Sequence, residues 1–150
     1  MGLDQYLYVA EERLEEDYYE HLGEPVYDEN GGLAYYDDKY VIQEIAYFRK
    51  VNWLHGYLDK LCESKTGHYL GNCEYFVFSK NDLNEFLDVC REVIECESIH
   101  IAEELLPPTR GCFFGCYEVN DEYFEEVKDF IEMMEQYSED DAQYVYWAWW

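Results

Sequence analysis

Basic residues are scarce in this chain of 150 residues: ten lysines and arginines stand against 35 aspartates and glutamates, a formal charge of −25. A field of that sign repels nucleic acid and anionic membranes and attracts cations or basic protein surfaces, so neither direct nucleic-acid binding nor membrane binding is expected. Long apolar runs are also missing, and none approaches the roughly 18 residues a membrane helix requires. Met1 is followed by Gly-Leu-Asp-Gln-Tyr-Leu-Tyr, with no basic n-region and no apolar h-region, which excludes a secretory signal. A soluble, intracellular protein is the expectation. In that compartment the six cysteines are free thiols rather than a disulfide framework.

Recognised catalytic and metal-binding patterns are absent too. There is no Cys-x-x-Cys pair, no phosphate loop, no Gly-x-Ser-x-Gly and no His-Glu-x-x-His, and the acid runs lack EF-hand spacing. Neither a cofactor nor a metal is expected, and the balance leans away from an enzyme. Cys112 and Cys116, if they lay on a strand, would share a face about 13 Å apart, too far for a disulfide.

Aromatic residues, by contrast, are abundant at 19%, with 17 tyrosines, many of which must reach the surface or a polar partner. The charge is unevenly spread. Residues 41–80 hold four acids (Glu44, Asp59, Glu63, Glu74) against five bases (Arg49, Lys50, Lys60, Lys65, Lys80), a local net of +1, which leaves −26 for the remainder. The length suits one domain over 1–150 with a single core.

Residues 3–9 alternate as a strand, with Leu3, Gln5, Leu7 and Val9 on one face. Residues 11–38 form an acidic, weakly defined insert that could hold a short helix, a hairpin or a flap. The longest helical periodicity runs from Val41 to Cys62, with Tyr47, Phe48, Val51, Leu54, Tyr57, Leu58, Leu61 and Cys62 on its apolar side. Trp53 falls among the polar positions and His55 at the seam. Thr66-Gly67 ends that helix. A short strand at 74–78 is followed by a capping-box pattern at Ser79 and a helix to about Cys96. Pro107-Pro108 forbids helix beyond Leu106. Gly111 to Tyr117 reads as a strand, Asn120 as the cap of a third helix with Tyr123, Phe124, Val127, Phe130, Ile131 and Met134 in its core stripe, and Gln143 to Trp150 as a closing strand. The order favours an α+β fold: a mostly antiparallel sheet of about four strands with three helices packed on one face. A parallel α/β arrangement competes, and strand order stays open.

Candidate ligand-binding residues are few. Arg49, Lys50, Asn52 and His55 lie on the basic segment, and Arg110 follows the double proline. Positive charge, amide donors and a titratable nitrogen together suit the grip of a phosphate or carboxylate. The competing reading makes them a surface edge, with Asp59 paired to His55 and Arg49 to some other acid. Gly56 costs about 1 kcal/mol inside a helix, which implies that something, backbone or ligand, approaches that turn closely.

Three blocks, MGLDQYLY, AYFRKVNWLHGYL and ELLPPTRGCFFGCYEVNDEYFEEVKD, resemble a group of small proteins of phage and prophage genomes that typically begin Met-Gly-Leu-Asp. The resemblance spans about half the chain, with the blocks in order. It implies a viral or prophage origin, hence the cytoplasm of a host cell, and no particular mechanism. Two functions follow as expectations. One is an accessory factor whose acidic, aromatic surface meets a basic host protein and inhibits or redirects it. The other is a pocket protein, sponge or enzyme, holding a small anion such as a nucleotide between Arg49, Asn52, His55 and Arg110.

Overall fold

The structure, a computed structural model, describes residues 2–12, 20–21, 24–27, 29–30, 33–37, 40–111, 113–137 and 143–150, and for 10–12, 20–21, 24–27, 33–37 and 40–43 the backbone alone. A five-stranded sheet has the order β2-β5-β1-β7-β6, formed by Glu20–His21 (β2), Tyr40–Arg49 (β5), Asp4–Glu12 (β1), Gln143–Trp149 (β7) and Tyr75–Ser79 (β6). Every ladder in it is antiparallel, which decides against the parallel alternative. Among the described residues four helices complete the α+β fold: α1 (Asn52–Thr66), α2 (Lys80–Cys96), α3 (Ile99–Leu105) and α4 (Asp121–Glu135).

The alternation in β1 sends Leu3, Gln5, Leu7 and Val9 to the inner face, where all four are buried. In register with them on the same face are Ala46 and Phe48 of β5, Tyr144, Tyr146 and Ala148 of β7, and Phe76 and Phe78 of β6. The helices cover this face. Leu54 and Leu58 of α1, Leu83, Phe86, Leu87 and Cys90 of α2, and Val127, Phe130 and Met134 of α4 join one core with the sheet. Trp53 sits at its centre, with its ring edge-on to those of Phe86, Tyr123 and Phe130.

Several local signals act as their chemistry dictates. Ser79 and Asp82 form the expected capping box on α2, and Asn120 accepts from the Tyr123 N–H to cap α4. Gly67 ends α1 in the left-handed conformation, with its N–H on the Glu63 carbonyl. Lys65, in the last turn of α1, reaches the Asp82 carboxylate at 2.7 Å and so ties α1 to the start of α2. Burial alone would raise the pKa of Asp82, but Lys65 and the Ser79 N–H and hydroxyl outweigh it and hold the carboxyl below its ordinary value.

Four expectations change. Residues 41–49 are not helical: they belong to strand β5, and the helix begins only at Asn52. The β1–β5 register shifts between Leu7 and Tyr8, so that Ile45 and Ala46 are both buried where strict alternation would bury only one. That bulge gives a strand an apolar spacing close to that of a helix. Gly111 and residues 113–117 are not a strand either, Cys112 lying outside the described residues. Phe113 and Gly115 take positive φ, and the carbonyls of Phe114 and Cys116 accept from the side chain of Asn52 instead of from a ladder. Helix α3, capped by Ser98, is an addition that the apolar pattern did not reveal, and it stops before Pro107 as the double proline requires. Trp53, placed among the polar positions, is in the core. Within the acidic insert 11–38, residues 11–12 continue β1, β2 pairs with β5, and β3 (Glu24–Tyr27) and β4 (Leu33–Asp37) form a separate two-stranded hairpin; residues 13–19, 22–23, 28, 31–32 and 38 lie outside the described residues.

The inner face carries one buried amide, Gln5, on the central strand. Its Oε1 accepts from the Val51 N–H at 2.9 Å, and its Nε2 donates to the Val51 carbonyl at 3.0 Å and to the Tyr146 hydroxyl at 3.1 Å. Gln5→Leu fills the same space but leaves the Val51 N–H without its partner. We expect the urea midpoint to fall by the equivalent of about 2–4 kcal/mol with an unchanged denaturant slope, as measured by equilibrium unfolding.

Candidate functional site

Helix α1 starts without a capping side chain, since its N-cap residue is Val51. Its first turn is instead enclosed on every side, and Asn52, Trp53, Leu54, His55 and Gly56 are all buried. Against it lies the irregular segment from Pro107 to Val119, which joins α3 to α4.

Asn52 holds that segment. Its Nδ2 donates to the carbonyls of Phe114 (3.2 Å) and Cys116 (2.7 Å), and its Oδ1 accepts from the Thr109 N–H (3.3 Å). Both amide hydrogens and the carbonyl oxygen are thus occupied by protein backbone. The close approach implied by Gly56 is made by the same segment: a Cβ at Gly56 would fall 1.8 Å from Thr109 Oγ1. A loop side chain, rather than a ligand, is what the glycine admits.

His55 stands one step deeper. Its Nδ1 lies 2.9 Å from the Tyr146 hydroxyl, which also accepts from the Gln5 amide. The ring packs edge-on against Phe114 and Trp150. Burial lowers its pKa from the usual 6.5 to about 4, and burial likewise pushes the Tyr146 hydroxyl far up. Asp59 does not pair with His55; its Oδ1 accepts from the Leu70 N–H at 2.7 Å. Trp53 donates from Nε1 to Glu126 on α4 at 3.1 Å, and desolvation keeps that half-buried carboxyl above its ordinary range.

The three cationic candidates are exposed and stand apart from this interior. Arg49 ends β5, with its Nε 3.9 Å from Asp4. Lys50 follows at φ 59°, its N–H on the Leu3 carbonyl at 2.7 Å, and Gly115, at φ 99°, passes so close that a Cβ there would lie 3.0 Å from Lys50 Cβ. Arg110 lies over the Tyr117 ring, 5.7 Å from its centroid. A concavity beside α1, lined by Trp53, Gly56, Tyr57, Lys60, Leu105, Leu106 and Pro107, holds about 20 Å³, room for no more than a water. Asn52 and His55 therefore meet each other's neighbours inside the protein, while Arg49, Lys50 and Arg110 face solvent.

No protein-family model matches the chain, and no curated protein or solved structure is significantly similar to it.

The outer face of the sheet carries a feature that periodicity alone did not single out. Tyr47 of β5, Tyr6 of β1, Trp147 of β7 and Tyr75 of β6 stand in one register row across four strands. Neighbouring ring centroids are 5.1, 5.5 and 6.1 Å apart. Tyr47 is 48% exposed and Tyr75 38%, and in the adjoining row Trp149 is 39% exposed beside Asp4 and Arg49. The Tyr47 hydroxyl donates to Asp4. The outward-pointing Val77 and Val145 are buried, and strand β4 of the hairpin lies against β6, so the aromatic row is an exposed part of an otherwise partly covered face. The alternation Asp4-Tyr6-Tyr8 opposite Leu3-Gln5-Leu7-Val9 was the available signal; its extension across the sheet needed the strand order.

The depressed pKa of His55 has a thermodynamic consequence. Between about pH 6.5 and pH 4 the unfolded imidazole takes up a proton that the folded one refuses, so the stability present above pH 6.5 declines as pH falls through that window and levels off below it. The full loss amounts to about 3 kcal/mol. His55→Asn retains an acceptor for the Tyr146 hydroxyl without titrating. Subtracting its unfolding free energy from that of wild type across pH 4–7 cancels the contribution of the carboxylates, and the difference should slope in the stated direction.

Proposed function

We propose that the protein acts by binding: a small acidic accessory factor of phage or prophage origin that engages a basic surface of a host protein and thereby inhibits or redirects it. The observation that carries this reading is the exposed aromatic row on the sheet's outer face, in a chain of charge −25. Tyrosine and tryptophan rings offer large, rigid contact area with little side-chain entropy to lose, and their faces attract guanidinium and ammonium groups. The surrounding negative field speeds the approach of a positive partner and repels nucleic acid. Contiguous aromatic exposure of this kind is a common mark of a protein-binding surface. The full occupation of Asn52 by backbone groups weighs against the anion-pocket alternative, because the amide has no hydrogen-bonding capacity left for a phosphate.

Capture of host-lysate proteins on the immobilised protein, followed by affinity measurement of the purified partner, tests the proposal. A tenfold increase in salt should weaken the affinity steeply, chiefly through the association rate. Tyr47→Ala combined with Tyr75→Ala should reduce affinity at least tenfold while leaving the melting temperature nearly unchanged. An affinity flat across salt, or indifferent to both substitutions, would remove the proposal. So would a nucleotide that raises the melting temperature in a saturable way.

A further inference from the structure

Helices α2 and α4 pack side by side over the inner face of the sheet, and their solvent side is not flush. Two adjoining concavities of about 420 and 280 Å³ run along the seam, and both are lined by Ile94 and Lys128. The two form one groove. Its apolar surface is supplied by Ile94 from α2 and by Phe124 and Ile131 from α4, side chains that pack against the core and remain partly exposed. Phe124 and Ile131 are seven residues apart, two turns along one face of α4.

The rim is of one sign in effect. Glu97, Asp121 and Glu125 border one end, and Glu95, Glu132 and Glu135 the other. Its two cations pair with acids beside them, Lys128 with Glu125 at 3.2 Å and Arg91 with Asp88 at 2.9 Å and Glu135 at 3.0 Å, so six rim acids against two cations leave the rim a net charge of −4. The groove follows α4, whose 15 residues extend roughly 22 Å at 1.5 Å per residue. An elongated, acid-rimmed trough of that length, apolar at Ile94, Phe124 and Ile131 and more polar toward Glu97 and Asp121, matches a helix of about four turns better than a compact small molecule. A second copy of this chain would bring another −25 charges to an acidic rim and is disfavoured electrostatically.

We infer that the α2–α4 groove is a second binding surface, and that its occupant is a basic amphipathic helix of a partner protein, with an apolar stripe on Ile94, Phe124 and Ile131 and flanking lysines or arginines against the rim. The inference is independent of the aromatic sheet face, which lies on the other side of the sheet from the helices.

A synthetic 15-residue peptide with leucines at helical i, i+3, i+4, i+7 and i+11 and lysines on the remaining face serves as the probe. A scrambled peptide of identical composition, unable to form an apolar stripe, is the control. At 150 mM salt, calorimetric titration should give an affinity for the patterned peptide at least tenfold above that for the scramble, and amide shifts on binding should cluster on α2 and α4. Ile131→Lys should lower the affinity tenfold or more, whereas Tyr47→Ala with Tyr75→Ala should leave it unchanged. Should Ile131→Lys impair folding, the shift map on the wild-type protein decides alone. Equal affinity for the scramble would reduce the groove to a charge effect and overturn the inference, as would absence of binding or shifts confined to the sheet. A concentration-dependent dimer abolished by Ile131→Lys would assign the groove to a second copy and overturn it as well.

Discussion

The amide of Gln5 is the contact on which the arrangement of this protein depends. It lies fully buried on the central strand and bonds both the N–H and the carbonyl of Val51 where the chain leaves β5 and starts α1. A helix start packed into a core without a capping side chain would otherwise leave polar backbone exposed to a low dielectric, at a cost of about 1–3 kcal/mol per group. From Val51 the network continues in two directions: through Tyr146 to His55, and through the adjacent Asn52 to the segment that joins α3 to α4. The Gln5 and Asn52 amides in it are fully engaged by protein groups, the condition under which a buried polar network stabilises a fold. The consequence for function is spatial. The residue types best suited to chemistry, Asn52 and His55, hold the interior together, and the surfaces proposed to meet another molecule are the outer face of the sheet and the seam of α2 and α4.

A charge of −25 must be accommodated by so small a protein, and its few cations sit where they neutralise the most consequential acids. Lys65 meets Asp82 at the junction of α1 and α2, and Arg91 joins α2 to α4 through Glu135. The carboxylates left unbalanced lie on the rim of the helix seam and over the surface, where water screens them and where a basic partner would replace water. On the proposed reading the same distribution serves solubility and recognition, and the aromatic row bears on the second: solubility is not served by exposing Tyr47, Tyr75 and Trp149.

Much of the fold was legible from short-range chemistry. The strand containing Gln5, the Ser79 capping box, the Asn120 cap, the stop at Gly67 and the helix limit before Pro107 each follow from a local physical preference that tertiary packing did not override. The start of α1 was misread because a bulge opposite Leu7 and Tyr8 buries two successive residues of β5, and no sequence signal marks a bulge without its partner strand. The segment 111–117 was misread because its backbone partners are provided by Asn52, some sixty residues away in the chain. Gly56 was correctly taken as a point of close approach, and only the structure identifies Thr109 as what approaches. The aromatic row was invisible for a related reason: its members come from four strands, and alternation within one strand cannot show which rings become neighbours.

The central claim is that the start of α1 is a buried junction rather than a solvent-facing edge, and hydrogen exchange tests it most directly. The Val51 amide is bonded to Gln5 and the Thr109 amide to Asn52, both outside regular secondary structure. If the junction is as described, both amides should exchange only through global unfolding, with protection and denaturant dependence equal to those of the Leu7 amide in the central strand. Exchange of Val51 and Thr109 at the rates of exposed loop amides, while Leu7 stays protected, would contradict the account.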